Sequence, residues 1–254
     1  MRRGLFVAPF DVLADPGLIG ELAAEAEAAG WDALFVWDHL RYSEPVRAIA
    51  DPWICCAAIA LRTERLLFGP MVTPLPRRRP HVLARQAASL AVLSGDRLVL
   101  GFGIGDDWAG EFSGFGDEPD PKQRGRMLDE GLTVLTGLLS GEPVDHEGEH
   151  YTARDVRYLP APATPIPIWI AGRYPNRAPL TRAQRFDGYF PIQVESPEQV
   201  AALRAEVPGD LVVDLPPGAD PTPWGDAGAD WVLTRIGPYD LDLDAARALA
   251  TAGP

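Results

Sequence analysis

Short apolar runs alternate with helical stretches along the whole chain, and this alternation constrains the fold more than any other feature. Gly4–Pro9, Asp32–Trp37, Arg65–Val72 and Arg97–Gly103 read as strands, as do Pro167–Ala171, Gly188–Gln193, Leu211–Asp214 and Trp231–Ile236. Helical patterns occupy Asp15–Gly30, Trp53–Leu61, Pro80–Leu93, Gln123–Leu139, Arg177–Arg185, Glu198–Glu206, Ala219–Ala227 and Leu243–Ala250. In the first, Leu18, Leu22, Ala26 and Ala29 share one face and Gly30 stops the helix. Strands that are mostly apolar and each followed by a helix predict a parallel sheet, because parallel neighbours need crossovers that cover both faces. Eight such units in 254 residues match the size of a (β/α)8 barrel. The expected class is therefore α/β: a compact TIM barrel with reduced insertions, one domain over residues 1–254. A doubly wound open sheet is the competing arrangement.

Composition narrows the function. Hydrophobic residues at 46% and charged ones at 23% exclude disorder, collagen and a bare coiled coil. A net charge of −13 argues against nucleic-acid or anionic-membrane binding, which need a basic surface. Residues 195–254 hold 11 acidic and 3 basic side chains, a net of −8, read as a solvated surface. The 26 prolines mark boundaries between short elements. Cys55 and Cys56 are adjacent, with no CxxC or Cys/His spacing, so neither a disulfide framework nor a zinc site is expected. MRRGLFVAPF lacks the apolar core of a signal peptide, and no membrane-length apolar run occurs. A reduced, cytoplasmic protein is expected.

In a barrel of this kind, functional residues follow strand C-termini. The second strand ends in Trp37-Asp38-His39, which reads either as an acid/base pair or as a helix cap beside a surface histidine. After the third strand, Arg77, Arg78 and Arg79 read either as an anion grip or as a solvated basic loop. The fourth ends in Gly101-Phe102-Gly103-Ile104-Gly105, but Asp106 stands where a dinucleotide loop needs its third glycine. These glycines more naturally admit a flat ligand or another backbone. After the fifth, Gly172-Arg173-Tyr174-Pro175-Asn176-Arg177 leads into a helix, either as a phosphate site or as a plain helix start. His81, His146 and His150 read as structural or exposed; the spacing of the last two does not fit HExxH.

Taken together, several segments resemble the luciferase-like monooxygenase family, the (β/α)8 flavin- and deazaflavin-dependent oxidoreductases. They are AEAEAAGWDALFVWDHL (24–40), DPW (51–53), the run from Arg62 to Gly105, GEFSGFG (110–116), RMLDEGLTVL (126–135), SGEPVDHEGEHY (140–151) and PIPIWIAGRYPNRAPLTRAQRFDGYFP (165–191). The resemblance covers roughly residues 4–192 and keeps the order and spacing of its segments; the last 60 residues match loosely.

The resemblance implies a cofactor ring at the C-terminal mouth, against Ala8, Asp38, His39, Met71, Val72, Thr73, Gly103 and Asp106. It places the cofactor phosphate at Gly172, Arg173, Asn176 and Arg177, and a non-proline cis peptide near Pro70-Met71-Val72. Proton transfer or polarisation falls to His39 with Asp38, and Met71, Phe102 and Trp108 are candidate walls that serve equally as barrel core. The implied activity is that of an oxidoreductase using reduced FMN as a monooxygenase on a small organic substrate. The alternatives are F420-dependent hydride transfer and a non-catalytic flavin-binding protein. A metal-dependent hydrolase using Asp38, His39 and Asp106 is a more distant reading, and no metal is expected. A homodimer and a separate flavin reductase are the partners the resemblance implies. The chain is shorter than many members, so a more open site is expected.

Overall fold

The computed structural model describes residues 1–239 and 242–254. Its strands are β1 (Arg2–Val7), β2 (Ala33–Val36), β3 (Leu67–Pro70), β4 (Thr73–Pro74), β5 (Leu100–Gly103), β6 (Val144–Glu147), β7 (Thr152–Val156), β8 (Ile168–Arg173), β9 (Gly188–Ile192), β10 (Asp210–Leu215) and β11 (Trp231–Ile236). The helices are α1 (Pro16–Ala29), α2 (Pro52–Arg62), α3 (Pro80–Ser94), α4 (Pro121–Leu139), α5 (Arg177–Ala183), α6 (Pro197–Arg204), α7 (Thr222–Asp226) and α8 (Leu243–Ala252).

Nine strands form one parallel sheet in the order β3-β2-β1-β11-β10-β9-β8-β5-β4. Its ends meet: Val99 N–H donates to Phe68 O at 2.8 Å, and Phe68 N–H to Arg97 O at 3.2 Å. β4 pairs with β5 and continues the stave of β3 beyond Met71 and Val72, whose peptide is cis. The sheet therefore has eight staves and closes as a barrel, so the open-sheet alternative falls away. Every stave read from the sequence is present, and helices alternate with the staves as expected.

Prolines and capping acids explain why the helices start where they do. Proline occupies the first turn of α1, α2, α3 and α4, where its missing N–H costs nothing. Asp15, Asp51, Asp120 and Asp242 accept hydrogen bonds from the exposed N–H groups of the first turns they cap. α1 stops at Gly30, whose left-handed φ of 96° suits glycine. α7 is only five residues, shorter than expected from Ala219–Ala227, and starts after Pro221.

Strand alternation divides the core in two. Phe35, Trp169, Val212, Trp231 and Leu233 point into the barrel, whereas Leu34, Ile170, Val213 and Val232 point outward to the helices. One element was not anticipated, the antiparallel hairpin β6–β7 lying on α4. Its strands are mostly polar and half exposed, so the apolar signal that marks the staves is missing. Glu130 of α4 holds it, accepting from the N–H groups of His150 and Tyr151 at 2.9 and 2.7 Å and meeting His146 Nε2 at 3.1 Å. His146 thus has the structural part expected of it. Cys55 and Cys56 are buried and unbridged. Among the described residues no helix is long and apolar enough to cross a membrane.

Candidate functional site

A cleft of about 1650 Å³ opens at the C-terminal ends of the staves. Asp38, His39, Met71, Val72, Gly103, Asp106, Gly172, Arg173, Asn176 and Arg177 all border it. Two anticipated contacts do not. Ala8 is fully buried where the chain at Gly237 passes over it, and Thr73 is buried, donating its hydroxyl to Asp38 Oδ2 at 2.8 Å. Of the candidate walls, Met71 and Trp108 line the cleft. Phe102 points outward into the helix-facing core, as its place between Gly101 and Gly103 dictates.

Asp38 and His39 are neighbours in the chain but serve different partners. The Asp38 carboxylate is completely buried. It accepts from Arg77 Nη2 at 2.7 Å, and from Arg78 Nη2 at 3.0 and 2.9 Å. Burial alone would raise its pKa; the Arg78 and Arg77 guanidiniums outweigh that and hold it below the ordinary carboxylate range. Fully engaged and ionised, Asp38 has no capacity left to trade protons with His39, which corrects the pairing expected from their adjacency. The arginine reading changes too. Arg77 is 3% exposed and Arg78 18%, so these two form neither an anion grip nor a solvated loop.

The carboxylate that His39 uses is Glu111, from the loop after β5. His39 Nδ1 lies 2.8 Å from Glu111 Oε2, while Leu40 N–H and Arg77 Nη1 donate to Oε1 at 2.6 and 2.8 Å. Burial tends to raise Glu111, but the hydrogen bond from His39, the Arg77 guanidinium and the Leu40 N–H prevail and keep it low. An ionised carboxylate only accepts, so Nδ1 carries the proton and Nε2 is the nitrogen available to the cleft. Glu111 lies 72 positions from His39. Its one sequence signal was an acid inside GEFSGFG, in a loop whose course only the folded chain reveals. Phe10, Trp37 and Tyr42 surround the imidazole, with centroid distances of 5.9, 5.9 and 5.1 Å.

The other side of the cleft is cationic. Arg173 pairs with Asp106, and Arg177 with Glu206 at 2.9 and 2.6 Å. Both arginines are more than half exposed. Lys122 and Arg126 border the same cleft without a carboxylate partner among the described residues. Between this side and His39, Phe6, Met71, Val72, Ala171 and Phe190 supply apolar surface. An apolar wall ending in cations is what a flat ring with a phosphate tail needs, so the residues present fit a flavin-type cofactor. Among the described residues, no three His, Cys, Asp or Glu side chains are grouped to hold a metal ion.

Comparison with known proteins identifies the family. The family model for luciferase-like monooxygenases matches residues 6–209. An F420-dependent glucose-6-phosphate dehydrogenase of Beutenbergia cavernae is 36% identical over 177 residues, which is 68% of this chain and 50% of that protein. This chain thus matches about half the length of that relative. Among solved structures, an F420-dependent secondary alcohol dehydrogenase in complex with an F420-acetone adduct superposes with a TM-score of 0.81 at 16% identity, covering 98% of this chain and 97% of the other. The monooxygenase RslO1 of Streptomyces bottropensis gives 0.79 at 18% identity, covering 98% and 96%. At such identities the superpositions speak for the fold alone. The chain belongs to the luciferase-like monooxygenase family.

Proposed function

We propose that this protein is an F420-dependent oxidoreductase acting on a small organic molecule at the barrel mouth. The observation that carries the reading is His39, oriented at Nδ1 by buried Glu111 and presenting Nε2 to a cleft with an apolar wall and a cationic end. The relative from Beutenbergia cavernae is named for F420, so FMN, the first expectation from the sequence, takes second place.

Met71, Val72 and Ala171 would hold the ring and Arg173 and Arg177 its phosphate, while a bound deazaflavin supplies hydride transfer without oxygen activation. His39 Nε2 takes the proton of a substrate hydroxyl in oxidation, or returns one to a carbonyl oxygen in reduction. Glu111 stabilises the imidazolium that forms and keeps the ring from turning. The Asp38–Arg77–Arg78 cluster fixes Glu111 in place, since Arg77 bridges the two carboxylates. The test is a fluorescence titration of the purified protein with F420 and, separately, with FMN. Tighter binding of F420 is expected; binding of FMN with none of F420 would return the reading to a flavin enzyme.

A further inference from the structure

The last two staves carry a charge pair that neither the ring nor its phosphate explains. Val212 of β10 and Trp231 and Leu233 of β11 point into the barrel, so the two-residue period brings Asp214 and Arg235 to the inward side at its mouth. Both border the cleft, and Arg235 stands opposite Phe6 in the pairing of β1 with β11. Arg235 Nη1 donates to Asp214 Oδ2 at 2.6 Å. Asp214 is nearly buried, at 12% exposure, whereas Arg235 is 43% exposed. Among the described residues Asp214 is the only hydrogen-bond partner of the Arg235 side chain, which borders the cleft with Nε and Nη2 unengaged.

The position matters as much as the pairing. Arg235 is close enough to Tyr42 for its charge to act on that phenol, and the Tyr42 ring lies 5.1 Å from His39. Around the barrel, β11 is two staves from β2, whose following loop carries His39, and three from β8, which carries Arg173. A charge pair in an apolar layer bears a desolvation cost that a hydrophobic pair would avoid. Burial accordingly pushes the Asp214 carboxyl above its ordinary range, and Arg235 offsets this only in part. The arrangement is one that an incoming anion would complete, by meeting the free edge of the guanidinium.

We propose that Arg235 anchors an anionic substrate: the molecule that reacts at His39 carries a carboxylate or phosphate group, bound by Arg235, with Asp214 as the residue that positions the guanidinium. The proposal rests on the barrel-mouth reading for the role of His39, but not on which cofactor is bound.

The test titrates F420-saturated protein with inorganic phosphate and, separately, with acetate, following the Arg235 Nε–Hε signal by NMR. Saturable binding of at least one anion is expected; phosphate alone or acetate alone would identify the substrate's group. Arg235→Gln should weaken that binding roughly tenfold or more, the scale of one lost hydrogen bond to a charged group. Arg235→Lys should retain part of it, and both variants should keep the wild-type Kd for F420. Asp214→Asn keeps an oxygen that accepts from Nη1, so the guanidinium stays positioned, but removes the competing charge and should tighten anion binding; weaker binding in this variant would overturn that part of the proposal. Unchanged anion affinity in Arg235→Gln, or no anion binding by the wild type, overturns the proposal. If F420 does not bind, the same titration in Arg173→Ala/Arg177→Ala protein still reads the Arg235 anchor alone. Failure of the cofactor reading and failure of the anchor are thereby separate results.

Discussion

Two pairs of arginines at the barrel mouth look alike in the sequence and do opposite things in the fold. Arg77 and Arg78 follow the third stave, lie largely out of solvent, and spend their donors on Asp38 and Glu111. Arg173 and Arg177 follow the fifth, are more than half exposed, and each holds a single exposed carboxylate. The first pair is committed to buried carboxylates inside the protein; the second can exchange a solvent-screened partner for a ligand at small loss. An arginine's residue type therefore says little about anion binding. What decides it is whether the fold has already buried the guanidinium against a carboxylate.

The largest effect should come from breaking the buried side. Arg77→Ala removes the cation that two buried carboxylates share and should cost about 3–5 kcal/mol of unfolding free energy, measured by denaturant titration. pH gives the same network a second signature. Burial raises the Asp38 and Glu111 carboxyls, but the arginines and the His39 contact outweigh it, and both sit below the ordinary range. A carboxyl whose folded pKa lies below its unfolded value adds stability above the unfolded value and loses it as pH falls through the folded one. Wild-type stability should therefore decline as the pH drops below about 4, the usual carboxylate range. Arg77→Ala should make that part of the decline smaller, since Arg78 still holds Asp38 and His39 still holds Glu111; an unaltered acid profile would mean that the cluster is not charged as described.

Next in size is the proton-handling step. His39→Ala should lower turnover by about 10²-fold or more with F420 affinity kept within severalfold, and Glu111→Gln should lower it less. Wild-type turnover in His39→Ala would remove the imidazole from the reaction and leave the cleft as a binding site. A fall in both variants, with the folded state intact, would separate the charge cluster's catalytic contribution from its structural one.

The barrel was legible because its signal is local. Each stave is a short apolar run bounded by proline, glycine or a capping acid, and eight of them in sequence admit few topologies. The hairpin β6–β7 escaped for the converse reason: it lies on one helix, and its strands Val144–Glu147 and Thr152–Val156 are too polar to read as core. Within the site, His39, Met71, Arg173 and Arg177 followed from their places at strand ends and from the family resemblance. Glu111 did not, because a buried carboxylate on an irregular loop has no periodicity, and its partner is distant in the chain. Adjacency misled for Asp38, because Thr73, Arg77 and Arg78 claim its carboxylate while Glu111 reaches His39 from a distant loop. Asp214 and Arg235 show the same limit: each ends an apolar run, and only barrel closure sets them side by side.

The smallest effect, on the exposed side, is also the one that sharpens the contrast most. Arg173→Ala combined with Arg177→Ala removes two surface ion pairs, and such pairs contribute little to folding because solvent screens them and long side chains lose freedom in making them. The unfolding midpoint of the double variant should match the wild type within error. Its affinity for F420 should nevertheless fall roughly tenfold, because the phosphate loses charge-assisted hydrogen bonds that water replaces imperfectly. Affinity for the phosphate-free deazaflavin chromophore should hardly change, since the ring contacts only the apolar wall. Equal loss for both ligands would mean that these arginines shape the cleft instead of binding phosphate, and a large drop in stability would place them with Arg77 and Arg78. Unchanged stability together with a phosphate-selective loss would show that the same residue type acts as scaffold on one side of the mouth and as ligand contact on the other.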